Sequence, residues 1–162
     1  MSVGLFPGSF DPLTLGHVDI VKKALTVFDR VIVLVADDPF KKYTFSGEER
    51  MRICREDLEP LGSVEVVRGA GLTAQFAEQH GCCALIRGMR AESDFSSEYR
   101  MAQLNQQIGH GLQTVFFLTS PQFSYLSSAV VKNLYISGAD VSDMVPENAY
   151  RAMQSKLKKT SL

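Results

Sequence analysis

The chain has no tryptophan and only three cysteines and three histidines in 162 residues, and the last two scarcities each close off a class of protein. Cys54, Cys82 and Cys83 are odd in number with one vicinal pair, which is neither a disulfide framework nor the C-x2-C spacing of a zinc knuckle. Cys82 and Cys83 open the run Cys82-Cys83-Ala84-Leu85-Ile86 and read as small buried hydrophobes in a strand. His17, His80 and His110 are widely spaced, so no metal ligands are expected. Surplus charge is missing as well: 17 Lys and Arg face 18 Asp and Glu, a formal net charge of −1. That balance argues against nucleic acid or a membrane surface as partner. The longest apolar run, Val31 to Ala36, is far short of the roughly 20 residues that span a bilayer. The start of the chain carries no basic n-region ahead of Pro7, so a cytoplasmic protein is expected. G-x-G-x-x-G and G-x-x-x-x-G-K-[ST] are both absent, which removes the main support for a dehydrogenase and for a P-loop enzyme.

What is present is an alternation of short apolar runs and amphipathic stretches. Strands are expected at Val3–Phe6 (stopped by Pro7-Gly8), Val31–Ala36, Val64–Val67, Cys82–Ile86 and Thr114–Leu118. Helices are expected between them. One is marked by Val18, Val21, Leu25 and Phe28 at helical spacing, another by the capping box Ser46-x-x-Glu49. The remainder are expected at Leu72–His80, Asp94–Ile108, Ser127–Tyr135 and Glu147–Leu157. Such an order calls for an α/β fold: a Rossmann-like, doubly wound, five-stranded parallel sheet with helices on both faces, one domain over residues 1–162.

Ligands of such sheets bind beyond the carboxyl ends of the strands. After the first strand, Gly8-Ser9-Phe10-Asp11-Pro12 leads to Thr14-x-Gly16-His17, which puts an imidazole at a helix N-terminus, where anions are favoured. A charged His17 beside a phosphate is one reading; Asp11 or Thr14 as an N-cap with His17 exposed is the other. Lys41 and Lys42 follow the second strand, and Arg87-Gly88-Met89-Arg90 follows the fourth as a candidate anion clamp. The dull alternative for the two arginines is surface pairing with Glu92 and Asp94. Glu98 would accept from a nucleoside or pair with Arg90. After the fifth strand, Ser127 or Ser128 is a natural N-cap, and Lys132 a turn later suggests a further anion site. Four such segments on one sheet edge describe a polyphosphate site.

These residues resemble a known family. The Thr14-x-Gly16-His17 segment is similar to the signature of the nucleotidylyltransferase superfamily. With Ile86-Arg87-Gly88-Met89-Arg90, Leu126-Ser127-Ser128 and the Phe45-Ser46-x-Glu48-Glu49-Arg50 helix start, the chain resembles bacterial phosphopantetheine adenylyltransferases from about Val3 to Leu157. The resemblance implies transfer of an adenylyl group from ATP to 4′-phosphopantetheine, with Mg²⁺ carried on the ATP phosphates. It implies a transition-state role for His17, and acceptor contacts at Ser9, Lys41, Thr73 and Arg87. It implies ATP contacts at Ser9, Phe10, His17, Gly88, Met89, Arg90, Glu98, Phe123, Ser124, Tyr125, Leu126, Ser127, Ser128 and Ala129. A cytoplasmic homohexamer, with coenzyme A as a candidate inhibitor, is also implied. Ser9 stands where many members carry Thr and keeps the hydroxyl. Ala129 replaces a frequent third hydroxyl, which leaves its backbone, and Thr73 replaces a larger apolar residue. A sister enzyme with another acceptor and a non-catalytic adenylate sensor are the rival readings.

Overall fold

In a computed structural model, which describes residues 1–160 and so leaves Ser161 and Leu162 at the end of the expected domain outside, the strands form one five-stranded sheet. The elements run β1 (Val3–Gly8), α1 (Leu15–Ala24), β2 (Arg30–Asp37), α2 (Gly47–Leu58), β3 (Val64–Ala70), α3 (Thr73–Gln79), β4 (Ala84–Met89), α4 (Phe95–Ile108), β5 (Gln113–Leu118), α5 (Ser128–Ile136) and α6 (Glu147–Lys156). Every pairing is parallel and the order is β3-β2-β1-β4-β5, so strand order reverses beside β1. No helix among the described residues is long and apolar enough to cross a membrane.

β2 shows why the sheet is covered on both faces. Alternate side chains of a strand point to opposite faces. Val31, Val33 and Val35 join the larger core with Val21 of α1, Ile53 of α2, Val131 of α5 and Met153 of α6. Ile32 and Leu34 join a second core on the other face, with Ala77 of α3. A continuous β-branched and aliphatic run is therefore needed, because neither face of this strand meets water.

All five strands depart from their expected bounds: β2 gains a residue at each end and β5 one at its start, β3 runs on from Val67 to Ala70, and β1 and β4 show a physical cause. β1 continues through Pro7 and Gly8, pairing with Leu34 and Val35 of β2. Its pairing with β4 ends earlier, at Leu5 and Leu85. The Pro7 carbonyl faces that gap and accepts from Arg87 Nη1 at 3.2 Å, so the missing proline N–H falls on the side where no ladder bond is made. β4 begins at Ala84 rather than Cys82. Gly81, at φ +64°, closes α3 with its own N–H on Glu78 and the Cys82 N–H on Ala77, a Schellman arrangement that commits Cys82 to the helix end. Cys82 is buried and Cys83 exposed, and neither lies in a strand.

Beyond the point where β1 parts from β4, Arg50 holds the backbone of the loop that follows β1. Its side chain is 1% exposed on α2, whose start is secured by reciprocal Ser46–Glu49 bonds. The guanidinium donates to the carbonyls of Ser9 (2.7 Å), Ala36 (3.0 Å) and Phe45 (3.3 Å) and to Asp37 Oδ1 (2.6 Å), over the ring of Tyr43. Replacing Arg50 with Met keeps much of the volume, and Asp37 keeps Arg68 at 2.6 Å. The three carbonyls would lose their donor. We expect a loss of about 3 kcal/mol or more, read from the urea midpoint at constant m-value; a loss below about 1 kcal/mol would show that water replaces the guanidinium freely.

Candidate active site

Two cavities open side by side at the carboxyl edge of the sheet. The first, about 320 Å³, is walled by Phe10, His17, Gly88, Arg90, Ser127 and Ser128. The second, about 540 Å³, extends under the loop after β2 toward α3 and α4, between Leu34, Phe40, Phe76, Leu85 and Met101. Ser9, Lys41, Arg87 and Glu98 border both. A polar chamber and a mostly apolar one thus share a wall that carries a hydroxyl and two cations.

The spacing of Thr14 and His17 has a local cause. Thr14 is the N-cap of α1 and His17 sits three residues on, the geometry of a capping box with imidazole in place of the usual Glu. The His17 N–H reaches Thr14 Oγ1 at 3.4 Å, and the Thr14 N–H donates to His17 Nδ1 at 3.0 Å. Nδ1 is therefore an acceptor without a proton, which places the ring's hydrogen on Nε2. The ring is half-buried, edge-on to Phe10 at 5.0 Å, and Phe10 itself sits in the left-handed region at φ +48°. A Cβ on Gly8 would come within 2.9 Å of the Phe10 ring, so only glycine leaves room for this stack.

Burial, with Arg87 and Arg90 adding repulsion, lowers the His17 pKa from 6.5 to about 4. A charged imidazole is thus not what this site presents. It offers a neutral N–H donor, pre-aimed, while the positive charge comes from elsewhere.

Two of those cations, Arg87 and Arg90, are already engaged. Arg87 is bidentate on Glu98, with Nε to Oε2 at 2.9 Å and Nη2 to Oε1 at 2.7 Å, and its Nη1 holds Pro7. Arg90 donates to the Leu126 carbonyl at 3.0 Å and pairs with Asp94. Glu98 pairs with Arg87, not with Arg90. Lys41 Nζ approaches Ser9 Oγ at 3.4 Å and has no carboxylate partner among the described residues. Lys132 is a structural tie: it donates to Asp11 Oδ2 and Thr44 Oγ1, each at 3.1 Å, while Asp11 accepts from the N–H groups of Thr44 and Phe45. That buried pairing replaces the anion site expected at Lys132.

Known proteins align with this arrangement. The Cytidylyltransferase-like family profile matches residues 5–134. A phosphopantetheine adenylyltransferase from Alkaliphilus metalliredigens is 42% identical over 156 residues, 96% of this chain and 99% of that protein. One from Haemophilus influenzae is 38% identical over 96% of this chain and its own full length. The chain belongs to the phosphopantetheine adenylyltransferase family. It is a nucleotidyltransferase enzyme. A solved Vibrio parahaemolyticus structure, described as a nicotinate-nucleotide adenylyltransferase, superposes with a TM-score of 0.64 at 16% identity over 96% of this chain and 93% of that one, which speaks for the fold.

Of the residues named from sequence, Ser9, Phe10, His17, Lys41, Arg87, Gly88, Arg90, Glu98, Leu126, Ser127 and Ser128 line the first cavity. Thr73, at the first turn of α3, lines the second. Met89, Phe123, Ser124, Tyr125 and Ala129 line neither: Met89 ends β4, Phe123 to Tyr125 lie in the turn before α5, and Ala129 is exposed on α5. Lys42 also lies outside both and is exposed. Ser127 caps α5 by accepting from Val130, and Ser128 donates to the Pro12 carbonyl at 2.7 Å. Residues missed from sequence include Thr119 and Ile20, which line the first cavity, and Asp19, which grips Ser120 and Lys23 and so fixes the turn before α5. Nothing in their sequence context distinguishes these from ordinary helix and loop residues.

The lowered His17 pKa has a definite sign. Between about pH 4 and 6.5 the unfolded chain takes up a proton at this ring that the folded chain refuses, so this residue's contribution to stability falls as pH drops through that window. Ring ¹⁵N and ¹H spectra of the ligand-free enzyme should show the Nε2–H tautomer at neutral pH and a midpoint near 4. A midpoint at 6.5 or above would contradict the neutral donor.

Proposed function

We propose that the chain transfers the adenylyl group of ATP to 4′-phosphopantetheine, a step of coenzyme A biosynthesis that yields 3′-dephospho-coenzyme A and pyrophosphate. The observation that carries this is the shared wall. A polar chamber, lined by His17, and a mostly apolar one share Ser9, Lys41 and Arg87. An adenosine-bearing triphosphate suits the first, and a phosphate with a long, mostly apolar tail suits the second. Relatives named for phosphopantetheine support the acceptor.

The acceptor phosphate, with a second pKa of about 6, is largely a dianion at neutral pH and needs no general base. One of its oxygens forms a bond to Pα as the bond from Pα to the bridging oxygen breaks, and the electron pair leaves with pyrophosphate. The chain's part is alignment and charge stabilisation. Lys41 and the free edge of Arg87 hold the acceptor phosphate, and the Ser9 hydroxyl lies between the two anions. The Nε2–H of His17 donates to an oxygen on Pα as its charge grows. A neutral donor suits that role, because its hydrogen bond strengthens with developing charge while the ground state gains less. Arg90, Gly88 and the start of α5 border the nucleotide. ATP enters as its magnesium complex, with the ion on the nucleotide's own phosphates. The carboxylates that line the first cavity, Asp94 and Glu98, are each held by an arginine. The exposed apolar residues of α4, among them Tyr99, Leu104 and Ile108, suit burial between copies in the homohexamer that the resemblance implies, and the cytoplasm and coenzyme A inhibition are part of the same reading.

Incubation with ATP, Mg²⁺ and 4′-phosphopantetheine should give dephospho-coenzyme A and pyrophosphate by product analysis; turnover only with another acceptor would reassign the substrate. His17→Ala should lower kcat about a hundredfold or more with little change in ATP affinity. Lys41→Ala should raise the acceptor KM and leave the ATP KM near its original value. Equal kcat in the His17 variant, or an unchanged acceptor KM in the Lys41 variant, would remove those assignments.

A further inference from the structure

The loop after β2 carries an anomaly. Phe40 is 97% exposed, more than any other large hydrophobic side chain of the described residues, yet it borders the second cavity. Across that cavity Met101 of α4 is 53% exposed and borders it too. The topology sets these residues on either side of β1, since β2 and β4 are its neighbours and the loop and α4 follow them. Two exposed apolar side chains, from different elements, therefore border the same chamber. A single exposed hydrophobe is ordinary; a pair facing one chamber is not.

The base of the loop is anchored and its tip is free. Tyr43 hydroxyl accepts from the Asp38 N–H at 2.9 Å and donates to the Ala36 carbonyl at 3.2 Å, and its ring lies under the buried Arg50 guanidinium. Asp38 in turn accepts from the Phe40 N–H on Oδ1 at 2.9 Å and from the Lys41 N–H on its carbonyl at 3.1 Å. The backbone of Phe40 is thus held in a turn whose next residue, Lys41, reaches Ser9 on the shared wall.

We infer that Phe40 is a specificity residue for the acceptor: its ring closes over the apolar arm, against the carbon skeleton next to the phosphate that Lys41 holds. This inference rests on the acceptor reading above. In 4′-phosphopantetheine the segment after the phosphate is a methylene and a quaternary carbon with two methyl groups, a compact apolar block one short step from the anion. A phenyl ring adjacent in sequence to the phosphate-binding lysine is in register to cover it. Covering removes ring and methyl surface from water together, so the gain appears in acceptor affinity and not in the ATP chamber.

The absence of tryptophan from the chain supplies a direct readout. Phe40→Trp would be the sole indole, with emission at a solvent-exposed wavelength in the free enzyme. Titration with 4′-phosphopantetheine alone, without ATP, should shift that emission to the blue, and ATP alone should not. Unmoved emission at acceptor concentrations that calorimetry shows to be saturating would overturn the inference. So would a blue shift that follows protein concentration instead of acceptor, because another copy of the chain would then cover the ring. In steady state, Phe40→Ser should raise the acceptor KM about tenfold while kcat and the ATP KM stay within about twofold, and Phe40→Leu should recover most of the loss. A wild-type enzyme that turns over 4′-phosphopantetheine beside a Phe40→Ser variant of equal KM would sink this assignment alone; a wild type without such turnover would sink the acceptor reading with it.

Discussion

One hydrogen bond, from the Thr14 amide to Nδ1 of His17, organises the chemistry of this edge. It begins as a matter of helix ends. The first N–H groups of α1 have no carbonyl partners, and a capping box satisfies them. Using imidazole for that purpose fixes the tautomer and leaves the ring's proton on Nε2 of a side chain that lines the first cavity. Charge on the ring would bury a cation beside Arg87 and Arg90, so the same packing that orients it also keeps it neutral. The cap thus sets the tautomer of a ring that lines the first cavity.

Around that ring the site divides its labour. Positive potential comes from Lys41, Arg87 and Arg90, and two of these are held by carboxylates and backbone carbonyls. Such pairing limits how far the guanidiniums swing and reduces the repulsion among cations gathered in one cleft. Arg87 shows the economy of this: one edge fixes it to Glu98 and one N–H satisfies the Pro7 carbonyl at the gap between β1 and β4, while the side chain borders both chambers. Arg50 does the equivalent beneath Ser9 from a buried position, so that the loop with Phe10 at positive φ keeps its shape.

The fold was legible where physical rules are local. β2 reads as doubly buried from its unbroken apolar run, and the Ser46-x-x-Glu49 cap is formed as its spacing implies. Boundaries blurred where a residue's commitment depends on a neighbour in space. Cys82 looks like strand, but its N–H belongs to the Schellman turn of α3. Pro7 looks like a stop, but its missing donor falls where β4 has already separated. The candidate site follows the same division: the segments that gather at the strand ends were recognisable, whereas the use of each cation was not. Lys132 and Arg90 look alike as candidates for anions, and only distance shows that Lys132 is spent on buried Asp11.

By itself the amino-acid order determined the alternation of strands and helices, hence a parallel sheet with its ligand edge at the strand ends, and the family to which the signature segments point. The fold follows from periodicity, turn chemistry and short-range spacing, all of which act within a few residues, and the family from the likeness of whole segments to known members. Tertiary structure alone decided the protonation of His17, the pairing of Arg87 with Glu98, the diversion of Lys132 and the two chambers that share a wall. Each depends on how separate elements pack, as when Lys132 of α5 meets Asp11 or Arg87 of β4 meets Glu98 of α4, so that desolvation and hydrogen bonding are set by the surroundings and not by the chain's local order.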